Sequence, residues 1–299
     1  MNTSQEIWTD SEDAAALKQA VDCLLVESIT VKISAAIGSF ITRSGKHMPK
    51  WAKVKLIGLA HGALKAGLSG AAYTLRDGPG TPASTKSHKV MTAASGAVGG
   101  AFGIAGALFE VPVTTTLTLR AIADVARSEG FDINDEQVRV ECATILAMGA
   151  DTPNDDDAFQ GYFAARGTFA SIATKAAEEL AKVAAERSMS AASRGFNGIT
   201  TDQAGTWVAQ LIIKILDKFG IALSSKVAAT AVPLLSAATA ATLNVLFTDY
   251  YQSIARGHFI VRRLEAKYGE AAVRAAMDAC AEKRARPAPA GKPAAARAA

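Results

Sequence analysis

The sequence predicts an all-α protein, a single multi-helix domain with a central glycine-rich apolar helix pair. Alanine is abundant and aromatic residues make up only 6% of the chain, which favours close-packed helices over sheets. Apolar residues recur at helical spacing along most of the sequence, and no segment alternates long enough to predict a strand. The β-branched runs VPVTTTLTL and WVAQLIIKIL are assigned to helices from their lengths and flanks.

The first two helices are predicted over Ser11–Thr42 and from Pro49 to Leu75, followed by a Gly/Pro/Ser/Thr loop over residues 76–88. The remaining helices are predicted over residues 89–109, 112–128, 134–148, 158–186, 200–218, 221–248 and 249–281. Pro112 ends one of these helices and opens the next, Pro233 bends another, and Gly269 breaks the last. Asn134, with Gln137 three residues later, is predicted to cap its helix, and Thr200 or Thr201 to cap another.

Residues 1–280 are predicted to form the helical domain and residues 281–299 a disordered basic Ala/Pro tail. The chain has a net charge of +4, and the tail alone supplies a surplus of four positive charges, so the body is neutral overall. Within that body, Ser28–Arg76 contains eight basic residues and no acidic ones, whereas residues 151–157 are acidic. The charge is therefore segregated along the chain.

The three cysteines and the N-terminus predict a cytoplasmic location. Cys23, Cys142 and Cys280 are odd in number and widely spaced, without a CxxC pair, which is typical of reduced thiols. The first residues are polar and acidic and lack the basic and apolar regions of a secretory signal.

Five glycines fall on one face of the predicted helix 89–109, at positions Gly96, Gly99, Gly100, Gly103 and Gly106. In a helix interior they cost about 4–5 kcal/mol relative to alanine, but they create a smooth surface that another backbone can approach closely. The predicted partner is Val227–Thr248, which offers small residues at Ala237 and Ala241.

Val90–Phe109 and Val227–Thr248 contain no charged residue, which leaves three environments open. The pair could be buried in a soluble core, enter a bilayer at shallow depth, or span it. Alanine and glycine are only weakly hydrophobic, and the flanking prolines and threonines oppose a spanning pair.

A basic segment around Trp51 predicts contact with an anionic membrane surface. Its cations are Arg43, Lys46, Lys50, Lys53 and Lys55. A solvated lysine-rich helix face is the alternative interpretation. Nucleic acid is not predicted as a partner because aromatic stacking platforms and base-reading motifs are missing.

No motif in the sequence predicts a metal site or a cofactor. The four histidines are scattered, there is neither HExxH nor GxSxG, and GSFITRSGK has the wrong length and ending for a phosphate loop. Polar residues in apolar surroundings nevertheless form a candidate polar centre. These residues could form ion pairs that join helices, or they could form a catalytic centre. Its members are Glu110, Arg120, Asp124, Asn244, Asp249, Arg256 and His258.

Two blocks of sequence carry a family resemblance. They are GAVGGAFGIAGALFEVPVTTTLTLRAIADVARSEG with the following CATILAMG, and VAATAVPLLSAATAATLNVLFTDYYQSIARGHFIVRRLEAKYG. The matching positions are Gly99, Gly100, Gly103, Gly106, Glu110, Pro112, Thr115, Arg120 and Asp124, then Pro233, Asn244, Phe247, Asp249, Ala255, Arg256, Gly257, His258 and Phe259. The pattern, over residues 90–270, resembles the EcsC protein family. Ser236 and Ala240 stand where that pattern has glycines.

The resemblance implies a helical bacterial cytoplasmic protein, and it supplies neither a reaction nor catalytic residues. We therefore predict a non-enzymatic, membrane-associated protein, peripheral at the inner face of the membrane. It would contact anionic lipid or a membrane protein through the basic segment and the glycine-rich pair. Two alternatives stay open: an enzyme or small-ligand binder with a centre around Asp249, Arg256 and His258, and a soluble oligomeric scaffold.

Overall fold

The computed structural model describes residues 3–37, 49–71, 75, 78–100, 103–148, 158–193, 205–230 and 237–285. In these ranges every regular element is a helix and there is no strand, so the predicted all-α class is confirmed. The first six helices are α1 (Thr3–Thr9), α2 (Ser11–Leu24), α3 (Ile29–Ile37), α4 (Lys50–Ala66), α5 (Thr85–Gly100) and α6 (Gly103–Ser128). The next five are α7 (Glu136–Met148), α8 (Ala158–Ser193), α9 (Thr206–Thr230), α10 (Ala237–Tyr268) and α11 (Glu270–Ala285).

Helix α10 is the central element of the fold. It packs most extensively on α5 and also contacts α2, α6 and α7. Helix α4 packs against both α6 and α9, and α9 in turn contacts α7 and α8. Buried aromatic rings join α9 to α10, with the centroids of Phe247 and Tyr251 5.0 Å apart and Phe219 within 6.0 Å of both.

Local signals explain several helix ends. The Asp10 carboxylate accepts hydrogen bonds from the amides of Glu12 and Asp13 and so caps α2. Gly269 has φ +87°, which ends α10 and confirms the break predicted there. The cap of α7 is Asp135, whose carboxylate accepts from the Gln137 amide, and not the predicted Asn134.

Other predicted boundaries were wrong. The first helix stops at Leu24, and α3 begins at Ile29, where Ser28 Oγ accepts from the Val31 amide. Helix α8 continues to Ser193, beyond the predicted end at 186. The helix predicted over 200–218 runs instead over Thr206–Thr230, with two of its first amides bound by Glu179 of α8.

The glycine-rich segment is not one helix broken at Pro112. Helix α5 ends at Gly100 and α6 begins at Gly103, and α6 continues through Pro112 to Ser128. Helices α5 and α6 pack against each other. The glycines therefore lie on two packed helices. The pair Gly99–Gly100 has low helix propensity, whereas packing against neighbouring helices stabilises α6 around Pro112.

Predictions for Thr200, Thr201, Pro233 and the tail from 286 onward concern residues outside the described ranges. Within those ranges, no helix combines the length and the apolar character needed to cross a membrane.

Candidate functional site: an apolar surface above a buried ion pair

Two glycines of α5 allow close approach by its neighbours. A Cβ at Gly96 would lie 2.7 Å from the Ala240 carbonyl oxygen and 2.5 Å from Asn244 Nδ2. A Cβ at Gly99 would lie 2.6 Å from Glu110 Oε2. Both positions therefore face polar groups of α10 and α6 at distances that a side chain would prevent.

The other residues predicted for helix packing lie at helix ends or in the first turns of α6 and α10. Gly100 ends α5 and Gly103 begins α6, whereas Gly106 is buried one turn later. Ala241 is half-buried, and Ala237 is the first residue of α10.

Replacing Gly96 with alanine should lower the free energy of unfolding by about 1–3 kcal/mol, since the added methyl group overpacks this contact. Gly62 of α4 is the matched control, because a Cβ there meets nothing within 4 Å. Gly62→Ala should instead stabilise the protein by up to about 1 kcal/mol through helix propensity. Urea unfolding of both variants measures the difference, and equal stabilities would contradict the close contact at Gly96.

Glu110 lies at the centre of a buried polar cluster. Its Oε1 atom accepts hydrogen bonds from Lys226 Nζ at 2.8 Å, from Thr114 Oγ1 at 2.7 Å and from the Asn244 amide. Asn244 also donates to the Thr92 carbonyl at 2.6 Å. The cluster thus joins α5, α6, α9 and α10.

The electrostatics of this cluster keep Glu110 ionised. Burial alone would raise the pKa of Glu110, but the Lys226 ammonium and the hydrogen bonds from Lys226, Thr114 and Asn244 outweigh it and lower that pKa. Burial lowers the pKa of Lys226, and the Glu110 carboxylate opposes that decrease. Both side chains are 3% exposed, so each charge depends on the other.

An apolar surface crosses the neighbouring helices α4, α6 and α9. We define it by the exposed side chains of Trp51, Val54, Ile57, Phe109, Val113 and Ile221. Contacts between the helices bring its parts together: Lys55 Nζ lies 6.0 Å from the centroid of Phe109, and Ile57 Cδ1 lies close to Gly220. Large apolar side chains this exposed are unusual when they are adjacent, and such patches mark interaction sites.

Lysines of α4 border this surface. Lys50, Lys53 and Lys55 are all exposed, and α4 contains no acidic residue. Trp51 precedes Lys55 by one helical turn and therefore lies on the same side of α4, toward α6. The other two predicted lipid contacts, Arg43 and Lys46, fall outside the described residues.

An apolar groove lies beside the surface, between the end of α5 and the start of α6. Its volume is about 710 Å³. The described residues that line it are Ala94, Ser95, Val98, Gly99, Ala105, Gly106, Phe109, Glu110 and Val113. Glu110 thus belongs to the polar cluster and to the groove.

A second buried cluster forms around Asp124. Its carboxylate is bound by His88 Nε2 at 3.1 Å, by Arg127 and by the Ser84 amide at 2.6 Å. Arg127, 1% exposed, also donates to the Gly78 carbonyl at 3.0 Å. This cluster attaches the loop before α5 to α6, which is a structural role.

The third cluster contains His258. Its Nε2 lies 2.8 Å from Glu141 Oε1 and its Nδ1 lies 2.9 Å from the Tyr162 hydroxyl. Arg262 Nε donates to the same Glu141 oxygen at 2.7 Å. A cavity of about 210 Å³ lies beside Glu141 and His258 and is also lined by Arg166.

The remaining members of the predicted polar centre lie elsewhere. Asp249 pairs with Lys89, Arg256 pairs with Glu129 at 2.6 Å, and Arg120 is half-buried on α6. The contacts given for six of the seven predicted residues therefore fall into five separate groups and do not form one centre. Only Glu110 and Asn244 contact each other directly among the hydrogen bonds described above.

Acid should lower the free energy of unfolding, because Asp124 and Glu141 become protonated. Burial opposes their ionisation, but their hydrogen bonds and cationic partners lower the pKa of each to about 2, from ordinary values of 3.8 and 4.5. Each depressed pKa contributes about 2–3 kcal/mol that is present above pH 4.5 and lost as the pH falls toward 2.

Urea unfolding at successive pH values over this range measures the loss. Glu141→Gln should start from a lower stability and lose less of it between pH 5 and pH 2 than the unmodified chain. An unchanged pH dependence in this variant would contradict the role of Glu141.

Sequence reasoning missed Lys226, Glu141, Tyr162 and His88. A signal existed for Lys226, since it is the only charged residue between Gly220 and Asp249 and Glu110 needs a cation in so apolar a region. Nothing in the sequence pairs Glu141 or Tyr162 with His258, because these contacts span 117 and 96 residues.

The structure thus defines an all-helical protein with an apolar, lysine-bordered surface and a groove above a buried ion pair. The chain belongs to the EcsC protein family, whose model matches residues 11–264. The match extends well before the blocks that carry the resemblance, to the start of α2. A comparison with curated proteins and one with solved structures each gave no match.

Proposed function

We propose that this EcsC-family protein attaches peripherally to anionic membranes through the apolar surface and the lysines of α4. The observation that carries the proposal is the exposure of three large apolar side chains beside those lysines. Trp51 is 59% exposed, Val54 74% and Phe109 78%.

The two parts of the surface match the two layers of a membrane. Trp51 is suited to headgroup depth, and Val54 and Phe109 would bury apolar area at the acyl boundary. Lysines near an anionic leaflet contribute about 1 kcal/mol each, and α4 presents three of them next to the apolar side chains. A contact of this kind uses side chains at the surface of the fold and needs no spanning helix.

Trp51 fluorescence tests the proposal directly. Trp8 and Trp207 are partly buried, so a variant with Trp8→Phe and Trp207→Phe reports on Trp51 alone. Its emission should shift to the blue on adding vesicles of phosphatidylcholine with phosphatidylserine, as the indole leaves water. Phosphatidylcholine vesicles should give a smaller shift, and salt should reduce the shift on anionic vesicles.

Trp51→Phe with Trp8 and Trp207 retained is the matched control, and its emission should not change with vesicles. An unchanged Trp51 spectrum with anionic vesicles would contradict the proposal. The same surface could instead contact a second copy of the chain. That use predicts a dimer by light scattering whose formation Trp51→Glu prevents, without vesicle binding.

A further inference from the structure

The groove between α5 and α6 has the features of a ligand site. Its volume of about 710 Å³ falls within the roughly 300–1,000 Å³ typical of ligand pockets. Val98, Phe109 and Val113 provide apolar walls, and all three side chains are partly open to the groove and to solvent. A mostly apolar cleft with few polar groups is the usual form of a site for an apolar ligand.

Glu110 gives this groove one oriented polar atom. Among the described residues, the hydrogen bonds of the Glu110 side chain all end on Oε1, from Lys226, Thr114 and Asn244. The other oxygen, Oε2, lies beside Gly99, which lines the groove with Glu110. The side chain is 97% buried, and Oε2 retains acceptor capacity on the side of Gly99 and the groove.

The charge of the cluster restricts the ligand. Glu110 is already balanced by Lys226, so a cationic head would place a second positive charge in the buried cluster, and an anionic head would be repelled by the carboxylate. A neutral hydroxyl can donate to Oε2 without changing that balance. Its attached chain would then lie along Val98, Phe109 and Val113.

We infer that the groove binds a neutral single-chain amphiphile whose terminal hydroxyl donates a hydrogen bond to Glu110 Oε2. The occupant is an alkyl or acyl chain with a hydroxyl head, such as a long-chain alcohol or a monoacylglycerol. Phe109 and Val113 belong to both the groove and the apolar surface, but the lysines of α4 do not line the groove, so changing those lysines tests vesicle attachment apart from ligand binding.

Isothermal titration of the full chain with 1-decanol, without vesicles, tests the inference. Decyl methyl ether has the same chain and an oxygen that cannot donate, so it should bind at least about tenfold more weakly. Decylammonium and decanoate should also bind more weakly than 1-decanol. Equal affinities for the alcohol and the ether would overturn the role of Glu110, and failure of 1-decanol to bind would overturn the site.

A groove-filling variant keeps the test independent of the ion pair. Ala105 is exposed and lines the groove, so Ala105→Trp should reduce 1-decanol affinity at least about tenfold while the fold persists. Ala164→Trp, at an exposed position of α8, is the matched control and should bind normally. Equal binding by both variants would overturn the inference.

A variant with Lys50, Lys53 and Lys55 all changed to glutamate separates this inference from the proposed function. It should lose vesicle binding and still bind 1-decanol in solution. Loss of 1-decanol binding in this variant would overturn the assignment of the ligand to the groove. A dimer that 1-decanol cannot dissociate, and that Ala105→Trp disrupts, would identify a second copy as the occupant and overturn it as well.

Discussion

Lys226→Ala should lower the free energy of unfolding by about 3–5 kcal/mol, because it leaves the Glu110 carboxylate buried without its cation. Thr114 and Asn244 would still donate to Glu110, but neither supplies charge. Urea unfolding at neutral pH measures the loss. Lys182→Ala, at an exposed lysine of α8, is the control and should change stability by less than about 0.5 kcal/mol.

A double variant separates the unpaired charge from the loss of packing. Glu110→Gln with Lys226→Met removes both charges and keeps side chains of similar length and an acceptor for Thr114 and Asn244. Most of the lost stability should return, since replacing a whole buried pair is often nearly neutral. A double variant as unstable as Lys226→Ala would contradict the ion-pair explanation.

Changing Lys50, Lys53 and Lys55 together to glutamate should weaken binding to anionic vesicles by at least about 100-fold. Three lysines contribute about 3 kcal/mol in total, and each 1.4 kcal/mol corresponds to a factor of ten. Repulsion by the new carboxylates adds to that loss. Sedimentation with vesicles of phosphatidylcholine and phosphatidylserine measures the partition coefficient.

The matched control for this variant reverses three exposed lysines elsewhere, Lys18, Lys86 and Lys182. Its net charge is identical, so a surface-specific contact predicts that it retains more binding than the α4 variant. Equal losses in the two variants would mean that net charge, rather than the α4 surface, determines attachment.

The prediction of the glycine segment shows what sequence alone could provide. The number and spacing of the glycines predict a helix surface for close approach, and in the structure Gly96 and Gly99 lie close to polar groups of neighbouring helices. The predicted helix end at Pro112 was wrong: a proline inside α6 costs about 3 kcal/mol locally, but packing against α4, α5 and α10 stabilises that helix.

The candidate site could be predicted only in pieces. Glu110 and Asn244 were both selected as polar residues in apolar surroundings, and the structure joins them. Lys226 was not predicted from the sequence. The prediction placed His258 in one centre with Asp249 and Arg256, whereas the structure gives His258 contacts with Glu141 and Tyr162. Helical spacing relates residues within one helix, so it cannot assign partners on another helix.

The sequence by itself determined the all-α class, the break at Gly269 and the basic, acid-free character of α4, because composition, propensity and turn chemistry act over a few residues. Only the tertiary structure decided that Glu110 meets Lys226 across 116 residues and that the exposed apolar side chains of α4, α6 and α9 lie on helices that contact one another. Those arrangements depend on how helices pack, and packing is set by shape and burial over the whole chain.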